Sequence, residues 1–309
     1  MTAAPPPADL STIDLTGFDS ASWREKLGEI AEEDGYYQPL DPRHFAAFLD
    51  RGPVLLVTFE TMQGIRSLGE GARPLGWSLA QSEGWSHLLL ACDGDTWFRH
   101  ESIYRFFDRQ VDDGFFEDFD RVVFFGTGPC GYAACAYSVA APGSTVIAIQ
   151  PQATLDPAVT EWDDRFADLR RMDFTSRYGY APDMIDAADR AYLLYDPNET
   201  LDAMHVALFT RPNVTKLRLR YLGDGLQGKL MTMRRLLPLL RAAGRGDLSA
   251  ATFAKLWRQR RNFLPYLRAV LNRLDADGRN DLAVRWCRGV TSIHNAPRFA
   301  RRLRQTEDA

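Results

Sequence analysis

Short apolar runs closed by turn-forming residues alternate with helical segments through most of the chain, and this alternation limits the folds available to it. The predicted strands are Pro53–Glu60, Ser86–Cys92, Arg121–Phe125, Thr145–Gln150, Ala191–Tyr195 and Val214–Tyr221. Helical spacing follows several of them, as in Glu101–Val111, Gly131–Ala141 and Glu199–Phe209. Such alternation implies right-handed crossovers and a mostly parallel sheet flanked by helices on both faces. The sequence therefore predicts an α/β fold.

The same pattern divides the chain into four segments. They are a disordered lead (1–12), an N-terminal helical segment (13–52), the α/β domain (53–243) and a basic helical extension (244–309). In the N-terminal segment, helical spacing predicts two helices, Ser20–Asp34 and Asp41–Leu49, the second opened by Asp41 and Pro42 as cap and first-turn residue. After the last strand only helices are predicted, over Leu226–Ala243, Ser249–Ala269 and Asp281–Arg288.

The net charge of −4 conceals two parts of opposite sign. Residues 1–213 hold 16 Lys and Arg against 34 Asp and Glu, whereas residues 214–309 hold 21 against 7. The arginines of the extension form two clusters, Arg258, Arg260 and Arg261, then Arg298, Arg301, Arg302 and Arg304. A basic stretch can bind nucleic acid or anionic lipid. Because no nucleic-acid-reading motif accompanies these clusters, we expect them to contact an acidic surface or to face solvent.

The apolar runs and the cysteines of the sequence indicate the cellular compartment of the protein. No apolar stretch approaches the roughly 18 residues of a membrane span, so no transmembrane helix is predicted. The opening MTAAPPPADLST has neither the basic start nor the apolar core of a secretory signal. The four cysteines form no CxxC pair, which suits a reducing compartment. We therefore expect a cytoplasmic protein.

A binding pocket is predicted at one edge of the sheet. In an open parallel sheet, ligands bind beyond the carboxyl ends of the strands. The predicted pocket residues are Thr61, Thr127, Gly128, Pro129, Gln150 and Asp224, with Asp196 at the end of the neighbouring strand. We expect a small molecule or a protein partner to bind there.

The segment VVFFGTGPCGYAACAYSVAAPGSTVIAIQPQATLDPAVTEWDDRF (Val122–Phe166) resembles the nucleophile-elbow region of α/β-hydrolase-like proteins, some of them associated with bacterial surface-polysaccharide enzymes. The resemblance extends from about Pro53 to about Leu240 and is specific over Val122–Phe166. In that family a strand runs into G-x-S-x-G, where a tight turn lifts the serine oxygen above the sheet. Here the five positions are Gly126, Thr127, Gly128, Pro129 and Cys130. The resemblance implies an α/β-hydrolase-like fold with glycine at the nucleophile position.

The resemblance also allows the rest of the catalytic triad to be checked. An acid follows a later strand and a histidine follows the last one. Asp196 suits the acid position, whereas the loop Gly223–Gly228 contains no histidine. With Gly128 in place of serine, two of the three triad members are missing. We therefore expect a non-hydrolytic binding or scaffolding protein rather than an enzyme.

An enzyme of hydrolase or acyltransferase type is the first alternative. Cys130 lies at a helix N-terminus, where free backbone N–H groups favour a thiolate, and a water held by Asp196 is a second possible nucleophile. A cysteine among glycine and alanine residues is more typical of packing, however. His205, in LDAMHVALF, is the nearest candidate base by sequence, but a single histidine on an apolar helix is more typical of a hydrogen-bonded core residue.

A nucleotide-cofactor oxidoreductase is the second alternative. Gly126, Gly128 and Gly131 have the G-x-G-x-x-G spacing of a dinucleotide-binding turn, but the next strand ends in Gln150 rather than an acid. Similar bacterial sequences are sometimes labelled phosphoadenosine phosphosulfate reductase. This chain has neither the S-G-G-x-D-S loop nor the late E-C-G-[IL]-H motif of that family, and its nearest late cysteine is in WCRG (Trp286–Gly289). We predict no cofactor.

Two further acidic stretches are candidate sites for a substrate or a metal ion. Asp163 and Asp164 lie in the segment Glu161–Phe174, which we interpret as a cap held by salt bridges to Arg165, Arg170 and Arg171. Asp93-Gly94-Asp95 is interpreted as a turn, because no His or carboxylate follows it at ligand spacing. No metal site is predicted.

Overall fold

The structure is a computed structural model, and it describes residues 9–307, with side chains up to residue 305. Residues 1–8 of the predicted disordered lead lie outside the described residues. Disorder is wrong for residues 9–12, which form a turn. Leu10 is fully buried, and its backbone N–H donates to Oε1 of Gln81 at 2.9 Å. Burial of this apolar side chain against the body fixes the turn.

Residues 9–307 contain eight strands in one sheet and fourteen α-helices. The strands are β1 (Gly35–Asp41), β2 (His44–Leu49), β3 (Val54–Thr61), β4 (Ser86–Cys92), β5 (Arg121–Thr127), β6 (Thr145–Ile149), β7 (Arg190–Tyr195) and β8 (Val214–Arg218). The helices are α1 (Ser20–Asp34), α2 (Met62–Leu68), α3 (Leu75–Glu83), α4 (Glu101–Asp112), α5 (Pro129–Tyr137), α6 (Pro157–Thr160), α7 (Ala181–Met184), α8 (Thr200–Leu208), α9 (Leu226–Thr232), α10 (Leu236–Gly244), α11 (Ala250–Trp257), α12 (Leu264–Ala276), α13 (Asn280–Thr291) and α14 (Pro297–Glu307). Single 3-10 turns lie at Glu70–Ala72, Phe115–Asp118, Ser138–Ala140, Ala167–Leu169, Ile185–Ala187 and Arg258–Asn262.

The sheet has the strand order β1-β2-β4-β3-β5-β6-β7-β8. Strands β3 to β8 pair in parallel, and β2 is antiparallel to both of its neighbours, β1 and β4. The mostly parallel α/β fold is confirmed. Because β2 runs against the others, its first residue lies at the same edge as the last residues of β3 and β4: His44 pairs with Cys92, and Cys92 with Thr61.

Apolar side chains bury both faces of the sheet. Along β3, Val57 and Phe59 pack in one cluster with α4 and α5, while Leu56 packs in another with α3, α9 and α10. This alternation follows from the two-residue period of a strand. A third cluster, with Trp23 and Phe45, joins α1 to the hairpin β1–β2. The apolar core of this part of the chain is thus divided among three clusters.

The predicted helix Asp41–Leu49 is wrong, because these residues form the hairpin turn and β2. All six residues of β2, HFAAFL, are buried, since the strand lies between β1 and β4 with helices on both faces. A strand buried on both faces loses the polar–apolar alternation that identifies strands, and the spacing of Phe45, Phe48 and Leu49 then imitates a helix. Helix α1, Ser20–Asp34, forms as predicted.

The C-terminal part is helical, as predicted, but divided more finely. The predicted helix Leu226–Ala243 is two helices, α9 and α10, and helices α12 to α14 share a small apolar core of their own. Several basic side chains contact the protein itself. Arg241 and Arg245 bind Glu83 at 2.6 and 2.7 Å, and Arg302 binds Asp275 at 3.0 Å. No helix within residues 9–307 combines the length and apolar composition that a bilayer span requires.

A buried polar chain lies in the core under α3. The Thr58 hydroxyl is 2.8 Å from Oε1 of Glu60 and 2.8 Å from Nε2 of His87, and the Leu75 backbone N–H points at both Glu60 oxygens. Burial raises the pKa of Glu60 to about 7 and lowers the pKa of His87 to about 3. Both groups are therefore held toward their neutral forms by the fold.

Glu60 makes stability depend on pH, and we expect Glu60→Gln to remove that dependence. The folded state binds the Glu60 proton more tightly than the unfolded chain, in which the pKa of this carboxyl has its ordinary value of 4.5. Its contribution is therefore full below pH 4.5 and is lost as pH rises through about 7. The variant should gain stability over the natural chain in that interval, by at most about 3 kcal/mol. Urea unfolding of both proteins at pH 5, 6, 7 and 8 measures the difference between their free energies of unfolding. The contribution of His87 is common to both proteins and cancels.

Candidate functional site

The turn between β5 and α5 has the geometry of a nucleophile elbow. A single residue, Gly128, separates strand from helix, at φ 57° and ψ −123°. Its N–H donates to the Ile149 carbonyl at 2.8 Å, and its carbonyl accepts from the Tyr132 N–H at 2.9 Å. A Cβ atom on Gly128 would meet no atom within 4 Å. Gly128, the apex of the turn, therefore has room for a side chain and carries none.

The two flanking glycines are required by close packing of the backbone. A Cβ atom on Gly126 would lie 2.0 Å from the Cys130 carbonyl oxygen, and one on Gly131 would lie 3.2 Å from the carbonyl oxygens of Gly126 and Ile149. Gly126 and Gly131 thus let α5 approach β5 and β6. The G-x-G-x-x-G spacing of these glycines has a structural explanation that needs no nucleotide.

Proline follows the apex, and its consequence was missed from the sequence. In hydrolases with this elbow, the backbone N–H of the residue after the nucleophile is one donor of the oxyanion hole. Here that residue is Pro129, the first residue of α5, and proline has no N–H. The dipeptide Gly128-Pro129 therefore lacks both the nucleophilic side chain and one oxyanion donor. The loss of this donor could have been predicted from the motif GTGPCG, because the residue after the apex is proline and the donor is the N–H of that residue.

Asp196 follows β7, where the acid of the triad lies in the family that the sequence resembles, and both of its carboxylate oxygens accept hydrogen bonds. It is 1% exposed. Oδ1 accepts from the backbone N–H and side-chain amide of Asn198 at 2.9 and 2.8 Å, and Oδ2 accepts from the Gly223 N–H at 2.6 Å. The carboxylate thus points to the loop after β8, as a triad acid would, but its partner there is a main-chain amide.

Gln150 connects the end of β6 to helix α8 and to the loop between β8 and α9, at the edge of the sheet where the parallel strands end. Its position is next to Gly128, because Thr127 and Ile149 are paired in the sheet. The side-chain amide donates to Oδ2 of Asp202 at 2.7 Å and Oδ1 of Asp224 at 3.1 Å, and its oxygen accepts from the Leu226 N–H at 3.0 Å. Gln150 adopts φ 49°, a left-handed conformation unusual for a side chain of this size.

An ionic network continues from Gln150 into the segment after β6. Arg165 binds Asp202 at 2.7 Å and Asp163 at 2.8 Å, and Asp163 is 2.9 Å from Nε2 of His205. Both carboxylates are buried and Arg165 is partly exposed. The predicted salt bridge between Asp163 and Arg165 therefore forms, whereas Arg170 donates to the carbonyl oxygens of Glu161 and Asp163 instead of to a carboxylate. The links of this salt bridge to Asp202 and His205 were not predicted, because those residues lie in α8.

His205 is a satisfied core residue. Its Nδ1 accepts from the Ala153 N–H at 3.1 Å, so Nε2 carries the proton that is donated to Asp163. Burial lowers the pKa of His205, which keeps the ring neutral at neutral pH. Both ring nitrogens are engaged, which leaves neither free to act as a base.

The Cys130 thiol is buried in α5 beneath the apex. It is 6% exposed, and burial raises its pKa well above the ordinary value. The neighbouring Cys92, Glu60 and Asp95 raise it further. No histidine nitrogen bonds to residues 126–130 in the described part of the chain: His44 and His100 contact Asp41, His87 contacts Thr58, His205 contacts Asp163, and His294 contacts the Arg261 carbonyl. This environment favours the protonated thiol.

The predicted pocket residues therefore divide into two groups. Thr61, Thr127, Gly128 and Pro129 are partly exposed, and Asp224 is exposed, whereas Gln150 is buried. Thr61 also caps α2 by accepting from the Gly64 N–H at 2.9 Å.

A separate cavity of about 670 Å³ opens at the opposite edge of the sheet, where β5, β6 and β7 begin. Arg121 and Arg190 are the first residues of β5 and β7, and Ser144 directly precedes β6.

Alanine at the two elbow glycines should have unequal effects. Gly126→Ala forces a Cβ atom into a backbone carbonyl, so we expect a loss of about 2–4 kcal/mol in the free energy of unfolding. Gly128→Ala has open space and bears only the cost of its positive φ, about 1–2 kcal/mol. Denaturant unfolding of both variants measures the difference. Equal losses, or a larger loss at Gly128, would contradict the elbow geometry.

No known protein-family profile and no curated protein sequence matches this chain. Solved structures that are similar to it include the following three. The Glycosylation Associate Protein (Gap123) complex from Streptococcus agalactiae is 15% identical at TM-score 0.44, and the match covers 67% of this chain but only 46% of that chain. Est1E from Butyrivibrio proteoclasticus is 14% identical at TM-score 0.42, covering 66% and 97% of the two chains. The capsule O-acetyltransferase of Neisseria meningitidis serogroup A is 8% identical at TM-score 0.42, covering 64% and 92%. In this chain the elbow follows β5, the acid position follows β7 and the last loop follows β8, so the fold is α/β-hydrolase-like.

Proposed function

We propose that this protein is a non-hydrolytic binding or scaffolding protein with an α/β-hydrolase-like fold. The observation that carries the proposal is the dipeptide Gly128-Pro129 at the elbow apex. Loss of one oxyanion donor alone slows acyl transfer by about 10²–10³-fold, and loss of a triad member is more severe. Here a nucleophile, a donor amide and a histidine are replaced together.

The partner of Asp196 supports the same proposal. In a working triad the acid orients a histidine and stabilises its positive charge. The Gly223 N–H takes the place of that histidine at 2.6 Å, and it cannot accept a proton. Asp196 therefore acts as a structural tie between the loops after β7 and β8.

The same contacts support binding at the carboxyl edge. Gln150 and Asp196 fix the surrounding loops, and a fixed surface loses little conformational entropy when it binds a partner. Asp224 supplies an exposed polar group on this edge, and Thr61 is partly exposed there. The Thr127 hydroxyl oxygen is buried and finds no hydrogen-bond partner within residues 9–305. We propose a small molecule or a protein segment as its ligand, and an acidic surface as the partner of the basic extension.

We also propose that the protein is cytoplasmic. Its four cysteines, Cys92, Cys130, Cys135 and Cys287, are all free thiols and all buried. Unpaired thiols of this kind are typical of reducing compartments.

The chain should not react with probes of serine hydrolases. Because Gly128 offers no nucleophilic oxygen, we expect no covalent labelling by a fluorophosphonate and no turnover of p-nitrophenyl esters above the buffer rate. Intact-mass spectrometry and absorbance measure the two quantities. Stoichiometric labelling would overturn the proposal.

Two additional measurements separate the alternatives. Enzyme chemistry at Cys130 predicts rapid alkylation by iodoacetamide in the folded protein, whereas the buried thiol predicts labelling only after unfolding. A nucleotide-cofactor oxidoreductase predicts a higher Tm with NAD, NADP or adenine nucleotides. Under the proposal, neither effect occurs.

Restoring the serine should not restore activity. Gly128→Ser places a hydroxyl in open space, but the hydroxyl finds no histidine and no Pro129 amide, so ester turnover should stay within about 10-fold of the background rate. The double variant Gly128→Ser/Pro129→Ala restores the amide and serves as the matched control. A burst of p-nitrophenol from either variant, with a pH profile centred near neutrality, would reveal a working base.

A further inference from the structure

Three metal-ligating side chains meet at the end of the β1–β2 hairpin. Asp41 closes β1, His44 opens β2, and His100 is the N-cap of α4. One ligand atom from each lies within 4.8 Å of those of the other two. Oδ1 of Asp41 accepts the backbone N–H groups of Arg43 and His44 at 2.8 and 3.0 Å, which shapes the hairpin turn. The second oxygen, Oδ2, is thereby directed toward the two rings.

The distances suit a small ion. Oδ2 of Asp41 is 2.8 Å from Nδ1 of His44 and 3.0 Å from Nδ1 of His100. Around a tetrahedral ion with bonds of about 2.0–2.1 Å, neighbouring ligand atoms lie about 3.3 Å apart. The Asp41 oxygen therefore needs to move only a few tenths of an ångström away from each ring nitrogen to accept such an ion, and the ligand atoms of the two rings lie within 4.8 Å of each other. The two rings are inclined by 24°, with centroids 5.8 Å apart.

A buried atom without a partner lies in the same place. His44 is 2% exposed, and within residues 9–305 its Nε2 finds no hydrogen-bond partner. The residue lines a cavity of about 360 Å³ together with Asp41, His100, Thr96 and Met172. The imidazole is thus buried beside the Asp41 carboxylate, and the cavity gives an ion access to both side chains.

Ser102 contacts two of the three side chains. Its hydroxyl donates to Oδ2 of Asp41, as groups around metal ligands commonly do. The same hydroxyl is 2.8 Å from Nδ1 of His100, and the Ser102 backbone N–H donates to that nitrogen at 3.3 Å. An ion bound to Nδ1 of His100 would replace these two contacts.

The donor atoms narrow the choice of ion. Ca²⁺ and Mg²⁺ depend on several carboxylate or carbonyl oxygens, and the cluster offers a single carboxylate. Arg43 and Arg99 also line the cavity, where their guanidinium groups donate to the carbonyl oxygens of Asp93 and Asp173 at 2.9 and 2.8 Å. Two imidazoles and one carboxylate are a ligand set of Zn²⁺ and related transition-metal ions.

We propose that Asp41, His44 and His100 form a three-ligand site for a divalent transition-metal ion such as Zn²⁺, with a fourth position open to the cavity. The site lies at the carboxyl edge of the sheet, because His44 pairs with Cys92 and Cys92 with Thr61. It is separate from the elbow and does not depend on the non-hydrolytic role. The ligands were not recognised in the sequence, because His100 is distant along the chain from the pair Asp41 and His44.

The full-length protein, freed of metal with EDTA and desalted, tests the proposal by calorimetric titration with ZnCl₂. We expect one Zn²⁺ per chain and a Tm that rises with Zn²⁺ but not with Ca²⁺ or Mg²⁺. Co²⁺ should bind at the same stoichiometry and give the visible absorption of a four-coordinate site. Failure to bind Zn²⁺, or an equal response to Mg²⁺, would overturn the proposal.

Ligand variants assign the site. His100→Gln changes a largely exposed ring, so the variant should fold, and it should bind Zn²⁺ at least about 100-fold more weakly. Asp41→Asn should show the same loss. His294→Gln, in the helical extension, is the matched control and should keep the natural affinity. Unchanged affinity in His100→Gln, or an equal loss in His294→Gln, would show that Zn²⁺ binds elsewhere.

Discussion

The contact between the backbone of β5 and the first turn of α5 sets the arrangement of the whole carboxyl edge. Gly126 lies against the Cys130 carbonyl so closely that no side chain fits between them, and Gly131 lies against the carbonyls of Gly126 and Ile149. The approach places the apex, Gly128, above the centre of the sheet and beside the end of β6. Gln150 directly follows β6, and its hydrogen bonds position helix α8 and the loop after β8. The surface available to a ligand is therefore a consequence of one tight turn.

The buried polar side chains of Asp196 and His205 are hydrogen-bonded within the fold. Asp196 is satisfied by backbone and amide donors, and His205 by a backbone donor and a carboxylate. Buried polar groups are costly unless paired, so these contacts stabilise the folded chain. The Gly223 N–H supplies one such hydrogen bond without requiring any particular side chain.

Most strands could be predicted because they combine apolar runs with turn residues that end them, and β4 was predicted with its observed limits. The hairpin could not, because β2 is buried on both faces and its aromatic spacing imitates a helix. For the site, the glycine apex could be predicted from the motif GTGPCG, and Asp196 from its place at the end of a predicted strand. The links from Asp202 and His205 to Asp163, and the cluster around Asp41, depend on residues distant in sequence, and local pattern carries no information about such contacts.

The two outer strands of the sheet bear on how this protein meets other proteins. In β1 the pairing with β2 shifts between Pro39 and Asp41, and proline has no N–H to offer a neighbouring strand. At the other side, β8 is only five residues long and carries Lys216 and the exposed Arg218. Irregular, short or charged outer strands discourage the addition of a strand from another chain. Association by extending the sheet is thereby disfavoured at both sides, and recognition is left to side chains on loops and helices.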